Sequence, residues 1–148
     1  MIAVLQRVSR ASVTVSNQCI GKIEGGLLIL LGVKDGDCEK DAVILAEKIS
    51  KLRIFSDENG KMNLSVKDVG QKVLVISNFT LLANYKKGNR PDYMNSAKPD
   101  EAKRLYDYFC DQIALSVPTQ RGEFGADMKV ELLNDGPVTI VMDSDVLK

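Results

Sequence analysis

The sequence contains no histidine among its 148 residues. That absence removes the Ser-His-Asp and Cys-His arrangements, histidine-ligated metal sites and the usual general base at neutral pH. Chemistry on this chain must therefore be undemanding, or be helped by the substrate. An excess of charge is missing too: 20 acidic and 20 basic side chains cancel, leaving no overall positive field of the kind that grips long nucleic acid. Any nucleic-acid contact has to be local. Cysteine is scarce and odd in number, and Cys19, Cys38 and Cys110 lie far apart, so neither a disulfide framework nor a close-spaced zinc site is indicated. No apolar run approaches the ~18 residues of a membrane span, and Met1 to Arg7 lack a basic segment followed by an apolar stretch. The expectation is a cytoplasmic protein with no membrane association, no metal and no cofactor.

What is present is ordinary globular composition, 45% hydrophobic and 27% charged, which suits one domain over residues 1–148. Residues 2–15 read as a strand or a bent pair, with Ala11, Val13 and Val15 alternating against Ser12 and Thr14. Asn17-Gln18 marks a turn, and Leu27 to Leu31 is an apolar run flanked by glycines, as in a strand covered on both faces. After Asp35-Gly36, Asp37 is placed to cap a helix with Ala42, Leu45, Ala46, Ile49 and Leu52 inward, ending near Arg53. Asn59-Gly60 signals a hairpin, and Lys72 to Ile76 a buried strand. Residues 83–97 form a long polar loop. Pro99 starts a second helix with Ala102, Leu105, Tyr106, Phe109, Ile113 and Ala114 as its core stripe. These elements imply an α+β fold: a largely antiparallel, strongly bent sheet or partial β-barrel covered by two main helices.

The stretch Asn134-Asp135-Gly136-Pro137-Val138-Thr139 joins two alternating runs, Met128 to Leu132 and Val138 to Met142, and so predicts a final hairpin. Asp-Gly supplies a left-handed turn position cheaply. Pro137, however, has no N–H to give the ladder where the second strand should start. The pair therefore reads either as an edge hairpin or as a rigid corner whose carbonyls face a ligand. Upstream, Ser77 to Leu81 close a buried strand, and strand ends are where sites are often built. Lys86-Lys87-Gly88-Asn89-Arg90 is the one compact basic group, suited either to a few phosphates or to solvent.

Six ordered blocks carry a resemblance along the whole chain: Gln6 to Val13, Lys61 to Val66, Ser77 to Leu81, Lys86-Lys87-Gly88, Phe124 to Met128, and Asn134 to Thr139. The sequence resembles the D-aminoacyl-tRNA deacylase, or D-tyrosyl-tRNA deacylase, family. The resemblance implies a homodimer with active sites at the subunit interface, acting on the D-aminoacylated 3′ end of tRNA. It implies a cis Gly136-Pro137 bond that enters the partner's site, where its carbonyl oxygens hold the substrate's α-amino group. Ser77, Asn78, Phe79 and Thr80 would be the catalytic half, with backbone N–H groups near the ester carbonyl. Arg7 would support the corner, Phe124 and Met128 would receive the terminal adenosine, and Lys86 and Lys87 would meet the tRNA. Asn78 departs from the family's usual glutamine, Asn89 from a common arginine, and Glu123 from a frequent one; the latter two changes remove positive charge.

An aminoacyl ester is already reactive, and the neighbouring ribose 2′-hydroxyl can assist attack by water. A histidine-free protein then needs mainly to orient the ester and stabilise its oxyanion. Thr80 as a covalent nucleophile is the weaker rival, since no base is evident to activate it. Selection against L substrates by collision with the corner would also let glycyl-tRNA through. The reading from another class is a non-catalytic nucleic-acid-binding or dimeric scaffold protein of the same fold.

Overall fold

The computed structural model describes residues 1–148, and its longest organising element is β1 (Ile2–Val15). The first half of β1 pairs antiparallel with β3 (Gly26–Gly32), the second half with β2 (Gln18–Ile23). One strand serves two partners because it bends and changes which core it feeds. Ala3 and Leu5 enter the main core under the helices, whereas Val8, Ala11 and Val13 enter a second, smaller core with Ile23, Leu28, Leu74 and Ile76. The β1–β2 turn uses Ser16 and Asn17, both at positive φ, which matches the right-handed twist of the flanking strands; it sits one residue before the position expected from sequence.

β6 (Lys72–Ser77) lies parallel to β3, and β7 (Thr119–Arg121) parallel to β6. Parallel neighbours need a long crossover, and the two helices supply it: α1 (Glu39–Lys51) between β3 and β6, α2 (Pro99–Ala114) between β6 and β7. The sheet order is β2-β1-β3-β6-β7. Its far edges nearly meet, since a Cβ on Gly21 of β2 would lie 3.0 Å from the Arg121 carbonyl oxygen of β7. The sheet is thus a bent, almost closed barrel. β4 (Phe55–Ser56) and β5 (Met62–Leu64) form a separate hairpin around Asn59-Gly60.

The final hairpin does not form. Residues 129–143 are a single strand, β8 (Lys129–Asp143), antiparallel to β1 along its whole length. Gln6 faces Thr139 and Val8 faces Asn134, so Asp135 to Val138 all stand opposite Arg7. Asn-Asp-Gly-Pro makes a bulge, not a reversal. A bulge is one of the few sheet positions that tolerate proline. β1 decides the outcome, being long enough to pair with both alternating runs.

Ala42, Leu45, Ala46 and Ile49 of α1 are buried as expected, but its cap is Cys38 and not Asp37. The Asp37 carboxylate is already engaged, accepting from the Lys34 N–H at 2.6 Å and the Met1 ammonium at 2.8 Å. Asp41 instead accepts from the Cys38 N–H at 3.0 Å. Burial alone would push the Asp41 carboxyl upward, but Lys148 at 2.7 Å, the Cys38 N–H and the Ser144 hydroxyl hold it well below the usual range. This charged cluster ties α1 to α3 (Ser144–Leu147), which directly follows β8. On α2 the stripe is buried through Ile113, while Ala114 is exposed because the helix ends there. No helix is long and apolar enough to cross a membrane.

Candidate functional site

The buried strand β6 carries the chain out to Ser77, and a 3-10 turn, Phe79–Leu82, begins two residues later. Asn78 is extended (φ −148°) and its N–H donates to the Leu31 carbonyl at 2.8 Å, which locks the turn to β3. That bond removes the Asn78 N–H from the donors expected of this segment. Phe79 and Thr80 open the turn, where backbone N–H groups have no partner within it. The Thr80 hydroxyl donates to Asn78 Oδ1 at 2.5 Å, and no carboxylate or amine bonds to it. The Phe79 ring is 57% exposed and meets Tyr93 edge-on, with ring centroids 4.8 Å apart.

Ser77, Asn78 and Phe79 line one side of a cleft of about 860 Å³. Phe124 and Met128 line another, and Leu28, Leu30 and Ile76 contribute apolar wall from the sheet. Such a cavity suits a flat, largely apolar group held by a few polar contacts. Tyr106, also a lining residue, donates its hydroxyl to the Val75 carbonyl at 2.8 Å and packs its ring against Phe124 at 6.0 Å. Burial raises the Tyr106 pKa, so the phenol stays neutral. Burial likewise pushes the nearby Cys110 thiol up to about 12, which leaves it inert. Met128 fits because residue 122 is glycine: a Cβ there would lie 2.7 Å from the Met128 sulfur.

The Asn134–Thr139 bulge has a different character. The Gly136–Pro137 bond is cis, and both residues are exposed. Arg7 reaches beneath the bulge with Nε donating to the Asp135 carbonyl at 3.1 Å and a terminal nitrogen to the Ile54 carbonyl at 2.8 Å. The Asn134 amide donates to the carbonyls of Arg7 and Val138, each at 3.0 Å, and staples the two ends of the bulge together. Gly136 has φ +134°, and a Cβ on it would lie 2.8 Å from a Val138 methyl and 3.2 Å from the Arg7 guanidinium. No other residue fits there.

The structure therefore brings Ser77, Asn78, Phe79, Phe124 and Met128 to one cleft, and Arg7, Gly136 and Pro137 to one corner. Neither Gly136 nor Pro137 lines the cleft of its own chain. Thr80 sits just outside the lining, and Lys86 and Lys87 are exposed on the 83–97 loop, also outside it. Gln6, Tyr93, Lys98 and Tyr106 line the cleft without having been singled out for it from sequence. An aromatic in a polar loop was the available signal for Tyr93, one it shares with Tyr85, which does not line the cleft; Tyr106 reads wholly as core from its helical spacing, yet it is both core and cleft wall. No group of three or more His, Cys, Asp or Glu side chains is disposed to hold a metal, and the three cysteines are free.

Comparison with known proteins gives a consistent result. The model of the family described as D-Tyr-tRNA(Tyr) deacylase matches residues 4–143. A D-aminoacyl-tRNA deacylase of Parabacteroides distasonis is 54% identical over 146 residues, covering 97% of each chain. One from Vibrio cholerae is 57% identical over 139 residues, covering 94% of this chain and 96% of its own. Among solved structures, the c-Myc DNA Unwinding Element Binding Protein superposes with a TM-score of 0.92 at 40% identity, covering 97% of this chain and 98% of its own. A probable eukaryotic D-amino acid tRNA deacylase shares the fold, with a TM-score of 0.82 at 14% identity and coverage of 95% and 97%.

Proposed function

The chain belongs to the D-Tyr-tRNA(Tyr) deacylase family, and from that premise we propose that it hydrolyses the ester joining a D-amino acid to the 3′ adenosine of tRNA. The observation that carries the reading is the opening of the Phe79–Leu82 turn beside an apolar cleft in a chain without histidine. The Phe79 and Thr80 N–H groups would hold the ester carbonyl and the oxyanion that develops from it. Water attacks the already reactive ester with help from the ribose 2′-hydroxyl, so no side-chain base is needed. Phe124 and Met128 receive the adenosine, and Lys86 and Lys87 meet tRNA phosphates outside the cleft.

The corner completes the site from a second copy. Because Gly136 and Pro137 project from their own chain and leave its cleft unlined, the active unit is a homodimer with Gly136–Pro137 of the partner subunit in each cleft. Their carbonyl oxygens accept from the substrate's α-ammonium group. With the amine and the ester carbonyl both fixed by backbone, an L side chain points into the corner where a D substrate has only hydrogen. Rejection is by collision, and no pocket rewards a D side chain. Such an enzyme works where tRNA is charged, in the cytoplasm.

The test is hydrolysis of D-tyrosyl-, L-tyrosyl-, glycyl-, D-alanyl- and L-alanyl-tRNA at equal enzyme concentration. Release from the two D esters and from glycyl-tRNA, with both L esters spared, is the expected outcome. A resistant glycyl ester beside a rapidly cleaved D-alanyl ester would mean that the D side chain is positively recognised. Cleavage of none would favour the second reading, a non-catalytic nucleic-acid-binding or scaffold protein. The name of the 40%-identical solved relative, a DNA unwinding element binding protein, favours that reading, and the zero net charge opposes it as a general DNA binder.

A further inference from the structure

Two charged residues line the cleft, Lys98 and Asp127. Asp127 is already paired, with Lys129 Nζ at 3.2 Å. Lys98 has no such partner: the acidic residue of the next turn, Glu101, is bound by Arg104 at 2.7 Å, and no other carboxylate pairs with Lys98. Its backbone is nevertheless fixed. The Lys98 carbonyl accepts from the Ala102 N–H at 2.8 Å, and the locked φ of Pro99 follows immediately. The Lys98 Cα is therefore held at the mouth of a largely apolar cavity while its side chain is exposed and pairs with no carboxylate. The loop cations Lys86, Lys87 and Arg90 lie outside the lining.

We propose that Lys98 binds the phosphodiester immediately 5′ of the esterified nucleoside. The inference rests on the deacylase reading. A nucleoside seated between Phe124, Met128 and the Ser77–Phe79 end carries its 5′ phosphate towards the cleft mouth, since the rest of the nucleic acid must leave by that opening. The phosphate then meets the one cation of the lining that no carboxylate neutralises. A lysine acts there as a point charge on a flexible stem, which adds affinity without orienting the ester. Its contribution belongs to KM and not to kcat.

The experiment compares two substrates that differ in the phosphate. Lys98→Ala should raise KM for D-tyrosyl-tRNA about fivefold with kcat unchanged, the scale of one screened contact. It should also make the fall of log(kcat/KM) with log salt shallower by about 0.7, the value for one phosphate on a single strand. Hydrolysis of 3′-D-tyrosyl-adenosine, which has no phosphate, should not change, and Lys98→Arg should restore the tRNA values. Equal losses on both substrates would assign Lys98 a structural role and overturn the proposal, as would no loss on either. Equilibrium binding of a short 3′-CCA oligonucleotide separates the two levels of inference. Binding that depends on Lys98 without cleavage of any ester would keep the phosphate site and sink the deacylase reading. Cleavage that is indifferent to Lys98→Ala, with oligonucleotide binding also unchanged, would do the reverse.

Discussion

The two halves of the candidate site solve opposite problems. At the Ser77–Phe79 end there is a cavity of about 860 Å³ with largely apolar walls and a turn that leaves backbone donors open, but no proline corner among its lining residues. At Gly136–Pro137 there is an exposed corner, braced by Arg7 and stapled by Asn134, that does not line this cavity. The proposed homodimer combines the two, and in that proposal chemistry and selection reside on different chains. That separation is what the following experiments are designed to break.

The largest effect should come from the cleft's donors. Phe79→Pro removes one N–H while keeping the turn, because proline fits the first helical position and Asn78 before it is already extended. Loss of one oxyanion donor lowers kcat by about 10²–10³. Phe79→Ala, which keeps the N–H and loses only a half-exposed ring, should fall by about tenfold at most, the range of a small apolar truncation. Equal losses in the two variants would show that the ring, and not the backbone, acts on the ester.

Next comes the brace. Arg7→Ala releases the Asp135 and Ile54 carbonyls together, and a corner misplaced by about 1 Å is enough to lower activity about 10²-fold. Mixing Arg7→Ala with Phe79→Pro subunits sharpens the point. If the halves come from different chains, half of the randomly reassembled dimers are mixed and each carries one intact site, so activity should recover to about a quarter of wild type. Mixtures no more active than the separate variants would place both halves in one chain. The same Arg7→Ala protein, assayed with L-tyrosyl-tRNA, reports whether the corner still discriminates.

The sequence made these halves legible to different degrees, for a physical reason. The cleft end follows from local pattern: the glycine-flanked run Leu27–Leu31, the strand ending at Ser77 and the helix starting at Pro99 all form where their residues predict. The corner does not, because alternation on either side of Asn134–Pro137 is the same whether the chain reverses or bulges. The outcome is decided by β1, more than a hundred residues away, whose 14 residues pair with both runs. Asp37 shows the same limit on a smaller scale. It is a good capping residue by type, yet Lys34 and Met1 engage its carboxylate and Cys38 takes the position. Gln6 on β1 meets Tyr93 and Lys98, which lie just before α2, only in the folded chain, so no spacing in the sequence announces them together.

The smallest effect should come from the most chemically suggestive side chain. Thr80 is the hydroxyl that the rival nucleophilic reading chooses, but its proton is committed to Asn78 Oδ1 and no base bonds to it. Removing it should leave the Phe79 and Thr80 N–H groups in place and free the Asn78 amide to rotate, a loss of about one exposed hydrogen bond. Thr80→Ala should therefore keep activity within about threefold of wild type and lower stability by less than about 1 kcal/mol. A substrate with a 2′-deoxy terminal adenosine should fail with wild type and variant alike, because the proposed mechanism takes the hydroxyl that assists water from the ribose. Mass spectrometry of enzyme quenched during turnover supplies the decisive contrary result: an aminoacyl ester on Thr80, together with an inactive Thr80→Ala, would move the chemistry from the backbone to the side chain and make the open N–H groups its accessory.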